Sequence, residues 1–271
     1  MVGFFKKVAP PFVKKTVFFF LQFIMSYPKT VQCNICLWEG RHFLSDSWHK
    51  HIKCPKCHSS IRQRLFFATL QNIENLSFDK IIFNKRILHF APEEIVSSNI
   101  QKKASVYTTA DFFLRENCSL KLDISNMAEI KNESFDILIA FDALEHVLDY
   151  KKALEEINRV LSSKGWGIFT VPQKDNLLVT YEDSTITTPQ ERIEHFGISD
   201  HLRIFGDDFA EIVADKGFSV TTVDELMFSD EIQKKHVLFP PMLSKHPLAS
   251  NFRKVFFCQK NSLTTSDSRR I

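Results

Sequence analysis

Four cysteines stand in two equally spaced pairs, Cys33-x2-Cys36 and Cys54-x2-Cys57, with seventeen residues between the pairs. Each pair sets two thiolates on one tight knuckle, and two knuckles complete a tetrahedron around Zn²⁺. Four protein ligands leave no open position, so the expected ion is structural and does no chemistry. A redox role suits a CxxC in a thioredoxin-like βαβ setting, which surrounds neither pair. A zinc deaminase needs Pro-Cys-x-x-Cys behind a His-x-Glu, but Lys53 precedes Cys54 and no His-x-Glu occurs. His42, His49, His51 and His58 lie close enough to replace one ligand, although with four thiolates present they read more simply as surface histidines. Cys118 and Cys258 stand alone in apolar surroundings and read as core residues. This usage implies a reducing, cytoplasmic setting rather than a disulfide framework.

A second set consists of carboxylates placed after apolar runs. "RILHFAPEEIV", Arg86 to Val96, reads as a short buried strand that breaks at Pro92 into a helix. Nucleotide-type cofactors dock at that position in open α/β folds, usually over glycines. Here no glycine occurs between Gly40 and Gly165. Asp111 ends the next strand, twenty residues after Ala91, where an acidic residue hydrogen-bonds ribose hydroxyls. Asp123 in "LKLDIS" and Asp142 after "FDILIAF" end the third and fourth strands. A single such aspartate is equally a helix cap, whereas three at successive strand ends suggest a ligand edge.

The segment "SFDILIAFDALEHVLDYKKALEEINRVLSSKGWGIFTVP", Ser134 to Pro172, resembles class I S-adenosylmethionine-dependent methyltransferases with a methyltransferase type 11 domain. The resemblance runs from about Ile87 to Lys260. "TYEDSTITTPQERIEHFGISDHLRIFG" and "LHFAPE" resemble a bacterial subgroup that also carries an N-terminal cysteine cluster. It implies a Rossmann-like α/β sheet of seven strands, mostly parallel with one antiparallel, and S-adenosylmethionine as cofactor. The implied cofactor residues are His89, Phe90, Ala91, Glu93, Asp111, Asp123, Ile124 and Asp142. Ala91 is the smallest replacement for glycine, and Pro92 suits the first turn of a helix. Glu93 is expected to face the cofactor's sulfonium or ammonium group, and His89 its carboxylate.

Methyl transfer is an in-line displacement, and a base is needed only when the acceptor must lose a proton. His146 in "DALEH" and His201 in "SDHLR" are the catalytic candidates. Packing beneath the helix explains His146 equally well. Arg192, His195 and Arg203 offer positive charge for an anionic acceptor, or plain surface charge. Asp142, Glu145 and His146 fall at i, i+3 and i+4, on one face if the run is helical. Some methyltransferases of the superfamily this chain resembles hold a divalent metal on a similar set with a later histidine; here the first position is Asp, His201 or His195 would complete the set, and whether a metal binds is left open.

These residues require elements to carry them. Strands are expected at Arg86–Phe90, Ala104–Ala110, Ser119–Ile124, Phe135–Phe141 and Gly165–Val171, with two more in "GFSVTTVDEL" and "FRKVFFCQK". Helices are expected at Pro92–Lys103 and Leu144–Leu161, and this alternation predicts a mostly parallel, doubly covered sheet. The domain plan is a basic and apolar segment 1–30, a zinc-ribbon-like module 31–60, a connecting helix 61–78, a methyltransferase domain 79–260 and a disordered tail 261–271. Residues 1–67 hold eleven Lys/Arg against Glu39 and Asp46, a net +9 within a chain whose total is +3. That front end suits an anionic neighbour or a solvated face. "KKTVFFFLQFIMSY" is too short to span a bilayer and fits either a membrane-surface helix or a packed one. The expected acceptor is a small molecule or glycan-linked group. RNA methylation through the zinc module, and an inactive scaffold, are the alternatives.

Overall fold

A computed structural model describes residues 28–113, 116 and 118–262. The expectations for segment 1–30 fall largely outside these residues, as do most of those for the tail. Among the described residues no helix is long and apolar enough to cross a membrane.

The first elements form a small hairpin, β1 (Val31–Gln32) and β2 (Glu39–Gly40), paired antiparallel. Helix α1 (Ile61–Asn72) follows, and Gln63 accepts a hydrogen bond from the Ser60 backbone N–H at 2.6 Å to close its first turn. After a short helix α2 (Phe78–Ile81) the alternating region begins. It runs β3 (Arg86–Phe90), α3 (Glu94–Ile100), β4 (Val106–Asp111), β5 (Leu120–Lys121), β6 (Phe135–Phe141), α4 (Tyr150–Val160) and β7 (Leu161–Thr170). An inserted stretch carries β8 (Tyr181–Glu182), α5 (Pro189–Phe196) and β9 (Arg203–Ile204). The chain ends with α6 (Phe209–Ala214), β10 (Phe218–Val223), α7 (Asp230–His236) and β11 (Val255–Lys260).

Seven strands make one sheet in the order β10-β11-β7-β6-β3-β4-β5. Strand β11 runs antiparallel to both its neighbours, and the other pairings are parallel, as expected. Both faces are covered, which explains the continuous apolar runs of the strands. In β6, Leu138 and Ala140 point into a core with Leu154, Ile157, Phe209 and Val213 of α4 and α6. Their neighbours Ile137, Ile139 and Phe141 point the other way, against α1 and α3. Helix α1 is therefore more than a connector: Leu65, Phe66, Phe67 and Leu70 belong to that second core, and Phe66 packs on Phe141 and Phe257.

Several boundaries differ from the sequence expectation: the strand expected from Gly165 begins at Leu161, the connecting helix ends at Asn72 rather than 78, and the helix expected at Pro92–Lys103 spans Glu94–Ile100. Two further differences have local chemical reasons. The third strand shortens to Leu120–Lys121 because the Asp123 carboxylate turns the chain, accepting from Ser125 N at 2.8 Å and its hydroxyl at 2.7 Å. The helix expected over Leu144–Leu161 splits into a 3₁₀ turn at Leu144–His146 and α4, which restarts where Asp149 caps Lys152 N at 2.9 Å.

Candidate active site

Chain order reverses across the sheet between β3 and β6: β4 and β5 lie beyond β3, while β7 lies beyond β6. Open α/β sheets bind ligands in the crevice at such a switch point, outside the carboxyl ends of the strands. Ala91 follows β3 and Asp142 follows β6, and both adopt positive φ, +46° and +44°. Non-glycine residues adopt that conformation uncommonly, aspartate more readily than alanine. The glycine-free loop thus keeps the backbone shape that glycine normally supplies, with one methyl group at the turn.

Strand β4 ends at Asp111, only 5% exposed, whose carboxylate accepts from the Phe113 N–H at 3.0 Å. Beside it Phe112 and Phe113 are 57% and 66% exposed, an apolar surface next to a carboxylate. Asp123 lies one strand farther out, holding its own turn, with Ile124 buried behind it. Phe90 is also buried, in the core beneath the loop.

His89 does not reach the loop mouth. It lies fully buried in β3, where burial pushes its pKa down to about 3. Its Nδ1 is 2.6 Å from the Tyr107 hydroxyl, which donates to Ser97 Oγ at 2.8 Å. A neutral imidazole in that chain ties β3, β4 and α3 together, and the expected contact with a cofactor carboxylate is corrected accordingly. Glu93 is likewise engaged, with Arg62 of α1. Arg62 Nε also lies 3.3 Å from Asp142, and Asp142 pairs on its other oxygen with Arg253. Thr170 Oγ1 donates to the same carboxylate at 2.8 Å. Burial would raise the Asp142 pKa, but Arg253 and Arg62 outweigh it and hold the carboxyl at about 2. Arg62 and Arg253 were missed in the sequence. The available signal for Arg62 was its place, with Arg64, within the apolar helical run "IRQRLFFATL"; Arg253 carried none.

Asp142 also lines a cleft of about 640 Å³. One wall comes from the loop between the cysteine knuckles, through Asp46, Trp48, His49 and Ile52. Another comes from the segment after α5, through Gly197, Asp200 and His201. Glu145 and His146 form the floor beside Asp142. The Trp48 ring stacks on His246 with centroids 4.3 Å apart. Helix α5 is well delimited, with Thr188 and Glu191 in a capping box, Pro189 opening it and Gly197 closing it at φ +89°.

Both catalytic candidates meet in this cleft, their rings edge to face at 4.8 Å. His146 is exposed, whereas His201 is buried, and burial together with the nearby His146 lowers the His201 pKa to about 4. Glu145 is buried and its pKa is pushed well up by burial and by Asp142. Asp142 does not join them on a helical face, because residues 144–146 form a 3₁₀ turn and Asp142 turns to the arginines. Arg203 is also no anion receptor: 3% exposed, it binds Glu182 at 3.0 Å and the carbonyls of Leu144 and Leu148, fixing the turn that carries His146. His195 is exposed and shares a 2.9 Å hydrogen bond with the Tyr181 hydroxyl.

The four cysteines come together. Cys33 and Cys57 sulfurs lie 3.6 Å apart, as do those of Cys36 and Cys54. A Zn–S bond of about 2.3 Å gives a tetrahedral edge of about 3.8 Å, so the set fits Zn²⁺. The knuckles repeat one geometry: Leu37 N bonds Cys33 O, His58 N bonds Cys54 O, and both residues have φ near +60° (59° and 57°). Arg64 of α1 is fully buried nearby, and burial lowers its pKa to about 10 against the opposing pull of the four cysteines. Its guanidinium donates to Ser59 O, Ile52 O, His236 O and Val237 O at 2.7–2.9 Å and lies over the Phe43 ring. The module is thereby fastened to α1 and α7. Its aromatic residues are already engaged, Phe43 buried with Trp38 against it and Trp48 on His246.

Residues 88–169 match the family model described as a methyltransferase domain. The match covers 82 of the 271 residues and spans Asp111, Asp123 and Asp142. An uncharacterized protein of Methanocaldococcus jannaschii, MJ0638, is 46% identical over 48 residues, 18% of this chain and 21% of the relative. The chain thus aligns with about a fifth of that relative's length. Among solved structures, the chain is similar to Burkholderia thailandensis 1,6-didemethyltoxoflavin-N1-methyltransferase with bound 1,6-didemethyltoxoflavin and S-adenosylhomocysteine, at 11% identity and TM-score 0.48, covering 74% of this chain and 78% of that one. It is also similar to the CurJ carbon methyltransferase, at 14% identity and TM-score 0.48, covering 75% and 56%.

Proposed function

We propose that this protein is an enzyme that transfers the methyl group of S-adenosylmethionine to a small-molecule or glycan-linked acceptor held in the cleft beneath the cysteine module. One observation carries the reading: Asp142 stands at the switch point beside Ala91 and also lines the cleft, so donor and acceptor sides adjoin there. Asp111 is placed to accept from ribose hydroxyls, and the exposed Phe112 ring offers a face for adenine. The positive-φ turn at Ala91 lets backbone approach the ligand closely, and this residue set fits the cofactor. Bound S-adenosylmethionine supplies an activated methyl on sulfur. The protein's part is to exclude water, orient the acceptor in line, and take a proton where one must leave. An acceptor that loses a proton loses it at the cluster of Glu145, His146 and His201.

In this reading Cys33, Cys36, Cys54 and Cys57 hold a structural Zn²⁺ whose net charge with four thiolates is offset by Arg64. The zinc module then shapes the cleft wall carrying Trp48 and His49. The cleft volume suits a small ligand or a terminal sugar. Engagement of Trp38, Phe43 and Trp48 leaves the module short of stacking platforms for RNA. The test is incubation of zinc-loaded protein with methyl-labelled S-adenosylmethionine and a cell extract separated into small-molecule, glycan and RNA fractions. Label in the first two supports the reading; label in RNA alone overturns the acceptor class.

A further inference from the structure

Glu145, His146 and His201 present one carboxylate and two imidazoles with ligand atoms all within 4.8 Å of one another. Two of these side chains sit where unpaired polar groups are expensive. Glu145 is 1% exposed and His201 5%, yet Glu145 Oε2 and His201 Nδ1 have no hydrogen-bond partner. The nearest approach between them, His201 Nε2 to Glu145 Oε1 at 4.0 Å, is too long for a hydrogen bond. His146 Nδ1 is 3.2 Å from the Asp200 carbonyl, the outer-shell partner that commits the other nitrogen of a metal-binding histidine to the metal. Asp142, the remaining carboxylate of the floor, is held away by Arg62 and Arg253.

We propose that Glu145, His146 and His201 bind a divalent transition-metal ion in the acceptor cleft, and that the acceptor is a hydroxyl compound that ligates this ion. The inference rests on reading the cleft as the acceptor side of the methyltransferase. A carboxylate with two imidazoles and no thiolate suits Mn²⁺, Fe²⁺, Co²⁺, Ni²⁺ or Zn²⁺ better than Mg²⁺ or Ca²⁺. Three protein ligands leave open positions, unlike the closed cysteine site. A hydroxyl bound there would ionise more readily, and with both imidazoles engaged as ligands its proton would leave through the open mouth of the cleft instead of resting on a histidine. The resulting oxyanion forms the new O–C bond as the S–CH₃ bond breaks, and the electron pair stays on sulfur to give S-adenosylhomocysteine. Vicinal diols, as in sugars, and catechols occupy two open positions at once and are the favoured acceptor class.

The test uses the full chain with its cysteine site filled by zinc, which thiolates retain against Mn²⁺. Substoichiometric Mn²⁺ is added without donor or acceptor, and histidine ring signals are followed by NMR. Loss of the His146 and His201 signals ahead of those of the other histidines is expected. Glu145→Gln and His201→Ala should each weaken Mn²⁺ binding at least tenfold by calorimetry, with the near-ultraviolet circular dichroism of the wild type retained. No binding by wild-type protein, or broadening centred on other histidines, overturns the proposal. The wild-type arm decides even when a variant fails to fold. S-adenosylhomocysteine binding measured separately shows whether the donor site itself fails.

Discussion

Arg64 is the residue on which the account of the cysteine module can be tested most severely. Its guanidinium reaches two carbonyls of the module, Ile52 and Ser59, and two at the end of α7, His236 and Val237. Hydrogen bonds from a charged group contribute about 1.5–3 kcal/mol each. Water entering the vacated space recovers part of that, and breaking a buried charged network typically costs about 3–5 kcal/mol. Arg64→Met keeps most of the volume, so the expected loss is about 4 kcal/mol, near the top of the range for single substitutions. At about 2–4 °C per kcal/mol for a protein of this size, the unfolding midpoint falls by about 8–16 °C. Arg64→Lys keeps the charge, but its compact ammonium cannot span four carbonyls, so it should fall nearer to the Met variant. Zinc affinity, read with a metallochromic chelator, should weaken about tenfold or more in both. Thermal and urea unfolding of the zinc-loaded proteins provide the assay. A loss below about 1 kcal/mol, within the range of surface substitutions, refutes the reasoning.

Asp142→Asn removes a carboxylate whose folded-state pKa, about 2, lies below the ordinary value of 3.8. Its contribution is full above about pH 4 and is lost as pH falls through about 2, so wild-type and variant stabilities should converge across that window in pH-dependent unfolding. Ala91→Gly relieves a left-handed residue at about 1 kcal/mol while adding unfolded-state entropy, giving a net gain of about 0.5 kcal/mol. Ala91→Val should lose at least about 1 kcal/mol, and equal midpoints for the two variants contradict the φ assignment. In Gly197→Ala a Cβ would stand 2.7 Å from the Trp48 ring at φ +89°. Displacement of Trp48 should appear as a shift in tryptophan fluorescence, with a stability loss of about 1 kcal/mol or more.

Most of the sheet was legible because its strands are buried on both faces and therefore write unbroken apolar runs. Phe135–Phe141 is the clearest case, read with the same limits that the structure shows. The strand at Ser119–Ile124 was overdrawn because its end is decided by the Asp123 side chain bonding Ser125, a competition that apolar patterning does not record. The meeting of Cys33, Cys36, Cys54 and Cys57 followed from spacing alone. His89 misled because strand alternation sets it on the sheet face of Ile87, with Tyr107 as its partner, and not at the loop mouth. The arginines were missed for a related reason. The pairs Arg62–Glu93, Arg253–Asp142 and Arg64–Val237 join residues 31, 111 and 173 apart in sequence, and only the fold brings these partners together.

The central claim is that a loop without glycine, at the switch point of this sheet, forms a working methyl-donor site. Calorimetric titration of S-adenosylhomocysteine into zinc-loaded wild-type protein, beside Asp111→Ala, tests it directly. The account predicts stoichiometric binding to the wild type and binding at least tenfold weaker, or absent, in a variant that remains folded. Absence of binding to well-folded wild-type protein, or equal binding by the variant, would contradict it.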